Sequence, residues 1–266
     1  MNERSSRRIV LKTAPNFRDL GGLPVAGGVF RPREVYRSAS LQRLSGEDSI
    51  TFADLGIRVV YDLRTAGERA SAPDRLPDGL TSVNLDVLGD SPLDVANKVG
   101  ELAGDPSGLA AVLGDDPRAL LEESYRDIVR LPSARAAYHD LFLGLADPHR
   151  RPALFHCTTG KDRTGWAAAA LLMLLGAEAD TVRADYLETN TDLLPSLQPL
   201  LAQVAKHGVD PDRLLPVLTV QDAYLDAAID QMQTQFGTIE DYATAGLGLS
   251  EDVIAALRTE LVEPAA

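Results

Sequence analysis

Cysteine is almost absent from this chain, which contains one, Cys157, among 266 residues. A single thiol cannot form a disulfide within the chain, and this favours a reducing compartment such as the cytoplasm. A sulfenic acid formed at Cys157 would also have no second cysteine in the chain to resolve it. Any role of this cysteine must therefore be that of a lone thiol.

Long apolar runs are also absent. The sequence has no run of about eighteen apolar residues, the length that marks a candidate membrane-spanning helix. The basic start, Arg4 to Arg8, is followed by only three apolar residues before Lys12, rather than by the long apolar segment of a secretory signal. We therefore expect no membrane span, and either a cytoplasmic protein or one exported by a route that leaves no recognisable signal peptide.

Positive charge is in short supply, because 26 Lys and Arg residues are outnumbered by 39 Asp and Glu residues, for a net charge of −13. A phosphate polymer would meet a negative surface almost everywhere, so nucleic-acid binding is not expected, and unaided docking to anionic lipid is disfavoured. The four histidines have no metal-ligand spacing such as His-x-x-x-His. We predict no metal and no other cofactor.

The most informative feature that the chain does contain is the run around its cysteine, His156 to Gly165, with the sequence HCTTGKDRTG. Apolar stretches at residues 152–155 and 166–175 predict a strand before the run and a helix after it. In that arrangement the backbone N–H groups of residues 158–163 curl toward one centre, and the helix start adds free N–H groups and the positive end of its dipole. The run predicts a cradle for one tetrahedral anion.

Two side chains of the run supply chemistry at a phosphate ester. Five residues separate Cys157 from Arg163, a spacing that lets a thiolate point at phosphorus while the guanidinium grips two oxygens. The positive field of the cradle favours the thiolate, which is the form that attacks. We predict catalytic roles for Cys157 and Arg163 and supporting roles for His156 and Thr164. The residues predicted to bind phosphate are Thr158, Thr159, Gly160, Lys161, Asp162 and Arg163.

Further motifs accompany the loop at residues 16–22 (NFRDLGG), 36–38 (YRS), 62–64 (DLR) and 184–187 (ADYL). Together with a loop of the form HCxxGKDRTG, they resemble the bacterial atypical protein tyrosine phosphatase family, of the secreted mycobacterial type and the Listeria lipid-phosphatase type. The resemblance covers residue 14 to the C-terminus. It implies an α/β fold with a central, mainly parallel sheet flanked by helices, and a reaction through a thiophosphate intermediate on Cys157.

The resemblance also gives roles to two charged residues of the loop. Lys161 is implied to widen the positive field, as in phosphatases that accept phosphoinositides. Asp162 is implied to lie close enough to the leaving oxygen to help proton transfer. Without the resemblance, Lys161 and Asp162 could equally form an exposed charge pair of little energetic consequence.

The general acid has several candidates. Cleavage needs a proton on the departing oxygen, and an Asp or Glu on a separate loop usually supplies it. Counting from residues 77–79 (PDG), the resemblance points to Asp90 as the catalytic acid, with Asp162 as the substitute and Asp86 within reach of the same loop. Because Ser-Pro follows Asp90, this residue could equally belong to a turn or a helix cap.

The DLR motif allows two interpretations as well. Asp62 and Arg64 follow a strand-like run, and the carboxyl ends of strands are where α/β proteins place ligands. The competing interpretation is an internal ion pair, with Glu68 as its partner.

The pattern along the chain reads as α/β. Strands are predicted over residues 29–36, 57–63 and 83–87, and helices over 118–130 and 133–145. A capping box at residues 45–48 predicts a helix that runs to about Leu55. Residues 89–117 are a candidate mobile loop, and everything after the helix that follows Cys157 is predicted to be helical.

The predicted organisation is a flexible N-terminal tail, residues 1–13, followed by a single phosphatase domain, residues 14–266. The apolar residues around 192–220 are predicted to pack in the core or, as the resemblance implies, to form a helical lid over the phosphate pocket.

The sequence therefore predicts a cysteine-dependent phosphomonoesterase, first of all a protein tyrosine phosphatase that acts on phosphoproteins. A phosphoinositide or dual-specificity phosphatase is the alternative, which Lys161 favours. A phosphate-reading module without turnover is a weaker one, since cysteine, arginine and threonine of the loop are all present. An arsenate reductase would need resolving thiols that this chain lacks.

Overall fold

The computed structural model describes residues 7–91, 116–206, 210 and 214–265. Its strands are β1 (Arg18–Asp19), β2 (Pro24–Val25), β3 (Gly28–Phe30), β4 (Val35–Ser38), β5 (Val59–Asp62), β6 (Thr81–Asn84), β7 (Ala153–His156) and β8 (Val262–Pro264). Its helices are α1 (Glu47–Asp54), α2 (Ala66–Ser71), α3 (Pro117–Arg130), α4 (Pro132–Ala146), α5 (Asp162–Leu174), α6 (Ala179–Lys206), α7 (Leu215–Leu218), α8 (Asp222–Phe236), α9 (Ile239–Asp241) and α10 (Glu251–Leu261). A 3₁₀ turn, Pro148–Arg150, and a π-helical turn, Tyr242–Gly246, complete these elements.

The central sheet has the strand order β1-β4-β7-β5-β6. Its strands β4, β7, β5 and β6 run parallel, and β1 pairs antiparallel with β4. The predicted α/β fold with a mainly parallel sheet is confirmed. In the register of these strands, Ser38, His156 and Asp62 lie side by side at the carboxyl ends. The segments that follow them meet at one edge, where open α/β sheets bind ligands.

Both faces of this sheet are covered. Successive side chains of a strand point to opposite faces, and on β7 Phe155 belongs to a larger apolar cluster and Leu154 to a smaller one. The larger cluster also contains Trp166 and most of α5, which is buried along nearly its whole length. The loop between β7 and α5 therefore connects two rigid, buried elements.

The single strand predicted over residues 29–36 proves to be two strands in different sheets. β3 ends at Phe30 and β4 begins at Val35. Between them, Pro32 has no backbone N–H to offer a neighbouring strand, and Arg33 adopts a φ of 63°. The N–H of Arg33 donates to Asp19 Oδ2 at 2.7 Å, which holds this turn against β1.

The prediction of helix throughout the C-terminal region is wrong at its end. α10 is followed directly by β8, which pairs antiparallel with β3 in a second, three-stranded sheet of order β2-β3-β8. The partner strand comes from the other end of the chain, so no local pattern could indicate it. A Cβ on Gly28 would lie 2.0 Å from the Glu263 carbonyl oxygen, and this close approach requires glycine.

The predicted flexible tail, residues 1–13, is too long. From residue 7 onward the segment is anchored: Arg7 and Leu11 are buried, and the N–H of Ile9 donates to the Phe17 carbonyl at 3.0 Å. Thr13 binds Asp48 of α1, with its N–H and hydroxyl 2.7 and 2.6 Å from Asp48 Oδ2. Because the Asp48 carboxylate is bound by Thr13, the capping box predicted at residues 45–48 does not form, and Gly46 precedes α1 without a side-chain cap.

The helices on either side of the cysteine loop agree closely with the sequence patterns. α3 and α4 extend the predicted ranges by one residue at most ends, each beginning with proline at a position that needs no N–H donor. α6 continues as one helix of 28 residues. Among the described residues, no helix has the length and apolar character needed to cross a membrane.

Candidate active site

The cysteine loop lies between the carboxyl end of β7 and the amino end of α5. His156 is the last residue of β7, and Asp162 is the first of α5. Cys157 is 1% exposed, and the hydroxyl of Thr164 is buried in the first turn of the helix. The predicted strand, loop and helix are therefore present, and the loop that begins with Cys157 leads directly into the start of α5.

Arg163 is held by a residue from a separate helix. Its Nη1 and Nη2 donate to the two carboxylate oxygens of Glu68, at 2.6 and 2.8 Å. The Thr158 hydroxyl donates to the same carboxylate. Glu68 thus connects Thr158 of the loop with Arg163 in the first turn of α5, and Arg163 is buried with its guanidinium fixed in direction.

Local sequence explains why Glu68 lies there. Thr65 caps α2, and its hydroxyl accepts from the N–H of Glu68 at 3.2 Å while its own N–H donates to Glu68 Oε2 at 2.8 Å. Burial by itself would raise the pKa of Glu68. The hydrogen bonds and the positive charge of Arg163, together with the hydrogen bonds from Thr158 and Thr65, outweigh burial and lower the pKa to about 2. The carboxylate stays ionised at neutral pH.

The expectation that Glu68 completes an ion pair of Asp62 and Arg64 is wrong, because Glu68 is engaged by Arg163. Arg64 donates to both oxygens of Asp62 at 2.9 and 2.7 Å and lies 2.9 Å from Asp74 Oδ2. The internal ion pair itself is therefore present, with Asp74 as the further partner.

His156 connects this ion pair to the loop. Its Nε2 lies 3.0 Å from Asp74 Oδ2, and its Nδ1 lies 3.0 Å from the carbonyl oxygen of Cys157. The group Asp62, Asp74 and His156 is compact enough to hold a metal ion. However, the Arg64 guanidinium already bridges both carboxylates, where it occupies oxygens that a metal would need and offsets part of their negative charge. This group orients His156.

Asp162 accepts from a chain of buried hydroxyls. Tyr125 of α3 donates to Asp162 Oδ1 at 2.7 Å, and Tyr186 of α6 donates to the Tyr125 hydroxyl at 2.7 Å. Burial and the nearby Asp162 charge raise the pKa of Tyr125 well above its ordinary value, so its hydroxyl keeps its proton. One oxygen of Asp162 is thereby fixed in a side chain that is 29% exposed.

Lys161 is buried rather than part of an exposed pair. Its Nζ donates to the carbonyl oxygen of Val217 at 2.5 Å and lies 3.3 Å from Asp162 Oδ1. Val217 belongs to α7, within the region 192–220 for which core packing and a lid are the alternatives. Residues 207–209 and 211–213 of that region lie outside the described residues.

The two other candidate acids have separate structural tasks. Asp90 binds Ser133 at the start of α4, where its Oδ2 accepts from the Ser133 N–H at 3.1 Å and its Oδ1 accepts from the Ser133 hydroxyl. Asp86 accepts from the N–H of Ala66 at 3.0 Å, at the start of α2. Asp90 is therefore placed as a helix cap, and Asp86 as a support of the helix that carries Glu68. Residues 92–115 of the predicted mobile loop lie outside the described residues.

The motifs at residues 16–22, 36–38 and 184–187 come together next to the carbonyl oxygens of the Cys157 loop. Asn16 Nδ2 donates to the carbonyl oxygens of Thr159 and Gly160, at 3.1 and 2.9 Å. Arg37 donates to the same Gly160 oxygen at 2.9 Å and to Asp185 at 2.8 Å. Sequence reasoning noted these motifs without giving them a task. It missed Glu68 as the partner of Arg163, although the capping box at residues 65–68 was a readable signal for α2.

Comparisons with known proteins agree with this geometry. A sequence model of the tyrosine phosphatase family matches residues 9–263. A Cupriavidus necator protein that bears the name of a tyrosine-protein phosphatase is 33% identical over 238 residues, covering 88% of this chain and 82% of that protein. The triple specificity protein phosphatase PtpB of Mycobacterium tuberculosis is 30% identical over 278 residues, covering 95% and 98%. A tyrosine-protein phosphatase of Nostoc commune is 27% identical over 235 residues, covering 85% and 73%.

Proposed function

The chain belongs to the tyrosine phosphatase family and is a cysteine-dependent phosphatase, and from this premise we propose that Cys157 is its nucleophile and phosphotyrosine in proteins its principal substrate. The observation that carries the proposal is the buried Cys157 on a loop whose Arg163 is fixed by Glu68. A lone, buried thiol beside a fixed guanidinium has the residue types that in-line attack on a phosphate ester requires.

The first half of the reaction forms a thiophosphate. The Cys157 thiolate attacks phosphorus, and an S–P bond forms as the P–O bond to the tyrosine oxygen breaks. Asp162 transfers its proton to the departing oxygen. In the second half, water attacks phosphorus, the S–P bond breaks, Asp162 takes up the proton, and phosphate and thiolate separate.

Arg163 keeps donors for the substrate although Glu68 occupies part of it. A guanidinium offers about five N–H donors along more than one edge. Glu68 takes one N–H from Nη1 and one from Nη2, the edge opposite to Nε. The edge formed by Nε and the second N–H of Nη2 is the one that we assign to two oxygens of the transferred phosphoryl group.

Asp162, rather than Asp90, is the acid that we propose. Asp162 is the residue before Arg163, and Tyr125 fixes one of its oxygens at 2.7 Å. Asp90 has both oxygens engaged by Ser133 and would have to give up a helix cap in order to reach the loop.

Phosphoinositide is the alternative substrate. The mycobacterial relative is named for triple specificity, and by analogy this chain could accept more than phosphotyrosine. Lys161, the residue implied to favour lipid headgroups, has its ammonium group engaged by the Val217 carbonyl and Asp162. We therefore propose that phosphoprotein turnover exceeds lipid turnover in this enzyme.

For the domain organisation, we propose one phosphatase domain over residues 14–266, and we include in it the anchored segment that begins at residue 7. The family match over residues 9–263 supports this proposal. We also propose that a lid at 192–220, if it opens, must break the hydrogen bond between Lys161 and Val217.

The test is phosphate release from a matched panel of phosphotyrosine peptides, phosphoserine peptides and phosphoinositides. Wild-type and Cys157→Ser proteins are compared on each substrate. We expect turnover by the wild type, highest on phosphotyrosine, and none by Cys157→Ser. Equal or faster turnover of phosphoinositide would replace the protein substrate by lipid, and no turnover of any substrate would leave a phosphate-reading module.

A further inference from the structure

We propose that Asn16 and Arg37, both fixed by the buried carboxylate of Asp185, are positioning residues that turn the backbone amides of the Cys157 loop toward the phosphate. This inference rests on the proposed function, because the amides are those of the proposed phosphate cradle. It gives a task to the motifs at residues 16–22, 36–38 and 184–187.

The carbonyl oxygens of four successive loop residues, 157–160, are all bound from outside the loop. The Cys157 carbonyl lies 3.0 Å from His156 Nδ1, and the Thr158 carbonyl accepts from the N–H of Ser40 at 3.1 Å. The Thr159 carbonyl accepts from Asn16 Nδ2 at 3.1 Å. The Gly160 carbonyl accepts from both Asn16 Nδ2 and Arg37 Nη2, each at 2.9 Å. Two of the four carbonyls thus depend on Asn16, and one of these on Arg37 as well.

Peptide planarity converts bound carbonyls into directed amides. In a trans peptide unit, the C=O of one residue and the N–H of the next point in opposite directions. When the carbonyls of residues 157–160 point outward to their partners, the N–H groups of residues 158–161 point to the inner side of the loop. Successive N–H groups that converge in this way form an anion-binding concavity.

Asp185 fixes both positioning side chains. It lies 2.8 Å from Arg37 Nη1, 3.1 Å from Arg18 Nε and 3.2 Å from Arg7 Nη1. Arg18 in turn donates to Asn16 Oδ1. Because the Asn16 oxygen is occupied by Arg18, its NH₂ group must face the loop carbonyls.

The charges of this network are buried and therefore rigid. The side chains of Arg18, Arg37 and Asp185 are at most 1% exposed. Burial raises the pKa of Asp185, but the charges of Arg18, Arg37 and Arg7 outweigh it and hold the pKa well below its ordinary value. An ionised carboxylate is thus always present, and breaking such a pair would leave an uncompensated buried charge.

Backbone geometry makes Asn16 the residue to test. Its φ of 59° lies in the left-handed region, which Asn and Asp tolerate better than most residues. Asn16→Asp therefore preserves size, backbone conformation and an oxygen for Arg18. It removes the NH₂ donor, adds a negative charge and places an oxygen against the Thr159 and Gly160 carbonyls, so a second variant that leaves the net charge unchanged is needed to separate positioning from charge repulsion.

The experiment measures the inhibition constants of orthovanadate and inorganic phosphate, together with kcat, KM and melting temperature, on the full chain. For Asn16→Asp we expect vanadate affinity to fall at least tenfold and kcat to fall with it. Arg37→Lys is the second variant, because it keeps the charge beside Asp185 but lacks the fork that also reaches Gly160; here too vanadate affinity should fall.

Glu188→Gln is the matched control. Glu188 binds Arg7 in the same network and is separated from the loop by Arg7 and Asp185. Its replacement should leave vanadate affinity within twofold of the wild type. A fall as large as that of Asn16→Asp would mean general loosening rather than positioning and would overturn the proposal.

Failure of the inference and failure of the proposed function give different results. If the wild type hydrolyses phosphotyrosine peptides and folded Asn16→Asp or Arg37→Lys binds vanadate as tightly as the wild type, the positioning role is wrong. If the wild type binds vanadate but hydrolyses no phosphomonoester, the proposed function is wrong. In that case weaker vanadate binding by the two variants still supports the positioning role.

Discussion

Glu68 is the residue on which the electrostatics of the site depend most. It satisfies the buried Arg163 through two charge-assisted hydrogen bonds, at 2.6 and 2.8 Å, and also receives the Thr158 hydroxyl. A guanidinium that is already fixed loses less freedom when it binds the phosphoryl group, which lowers the cost of reaching the transition state. In the proposed reaction, Glu68 therefore acts through Arg163.

Replacing Glu68 by Gln should reduce kcat/KM by about tenfold to a hundredfold, since even a small displacement of a reacting group has effects of this order. The amide brings an NH₂ group against Arg163, so the guanidinium loses one of its two partners. Steady-state kinetics with a phosphotyrosine peptide measures the change. Glu178→Gln, an exposed glutamate on the same chain, serves as the control and should behave as wild type.

Glu68 should also make the stability of the protein depend on pH. Its pKa is lowered to about 2 in the folded state, so the stabilisation that it provides is complete above the unfolded value of about 4.3 and is lost as the pH falls from there toward 2. We expect the difference in unfolding free energy between wild type and Glu68→Gln to shrink over that interval. Urea unfolding at stepwise lower pH measures it, and a constant difference would contradict the Arg163–Glu68 pairing.

For individual residues, the sequence could predict a shared site where the residues lie close together in the chain. Cys157 and Arg163 belong to one run, and the roles proposed for them depend on a short spacing. Glu68 is 95 positions away from Arg163, so its partner depends on how α2 packs against the loop. Such a contact leaves no trace in the spacing of either motif.

At the level of secondary structure, helix ends provide most of the contacts that hold the site. α2 carries Glu68 and is closed by the capping box of Thr65. Ser133, in the first turn of α4, binds Asp90 through its N–H and hydroxyl. α3 places the Tyr125 hydroxyl on Asp162. Asp90 is therefore engaged at a helix start, whereas Asp162 is held next to Arg163 by a tyrosine hydroxyl.

This separation predicts different results for two substitutions. Asp90→Ala should destabilise the protein by about 1 kcal/mol, as loss of a helix cap does, and leave the rate's dependence on the leaving group unchanged. Asp162→Asn should depress kcat most for phosphate esters of weakly acidic alcohols and phenols, because their leaving oxygens need the proton. A series of aryl phosphates of graded leaving-group acidity measures both. The opposite pattern would assign the acid to Asp90.

Elements were predictable where the pattern was long and local. The apolar periodicity of residues 118–130 and 133–145 gave α3 and α4 within a residue or two, because the same apolar faces pack against the core. β8 is only three residues long and exists through its pairing with β3 at the other end of the chain. The break between β3 and β4 depends on Arg33 in the left-handed region, which a strand-like composition does not indicate.

The chain carries a net charge of −13, so an anionic substrate depends on local attraction at the Cys157 loop. Among the described residues, three buried cations lie at the loop, and each has a carboxylate partner that offsets part of its field: Arg37 with Asp185, Lys161 with Asp162 and Arg163 with Glu68. The loop amides and the start of α5 add to the same field. An anionic substrate is thus repelled by most of the surface and attracted at the loop, which favours a small phosphorylated side chain over an extended polyanion.

The most direct test of the proposed reaction is to trap the covalent intermediate on Cys157. Wild-type protein is quenched in acid during turnover of a radiolabelled phosphotyrosine peptide and then digested, and the labelled fragment is identified; Cys157→Ser is treated identically. We predict label on the fragment that contains Cys157, through an S–P bond, and no labelled fragment from Cys157→Ser. Label on a different residue, or continued phosphate release by Cys157→Ser at a rate near that of the wild type, would contradict the central claim.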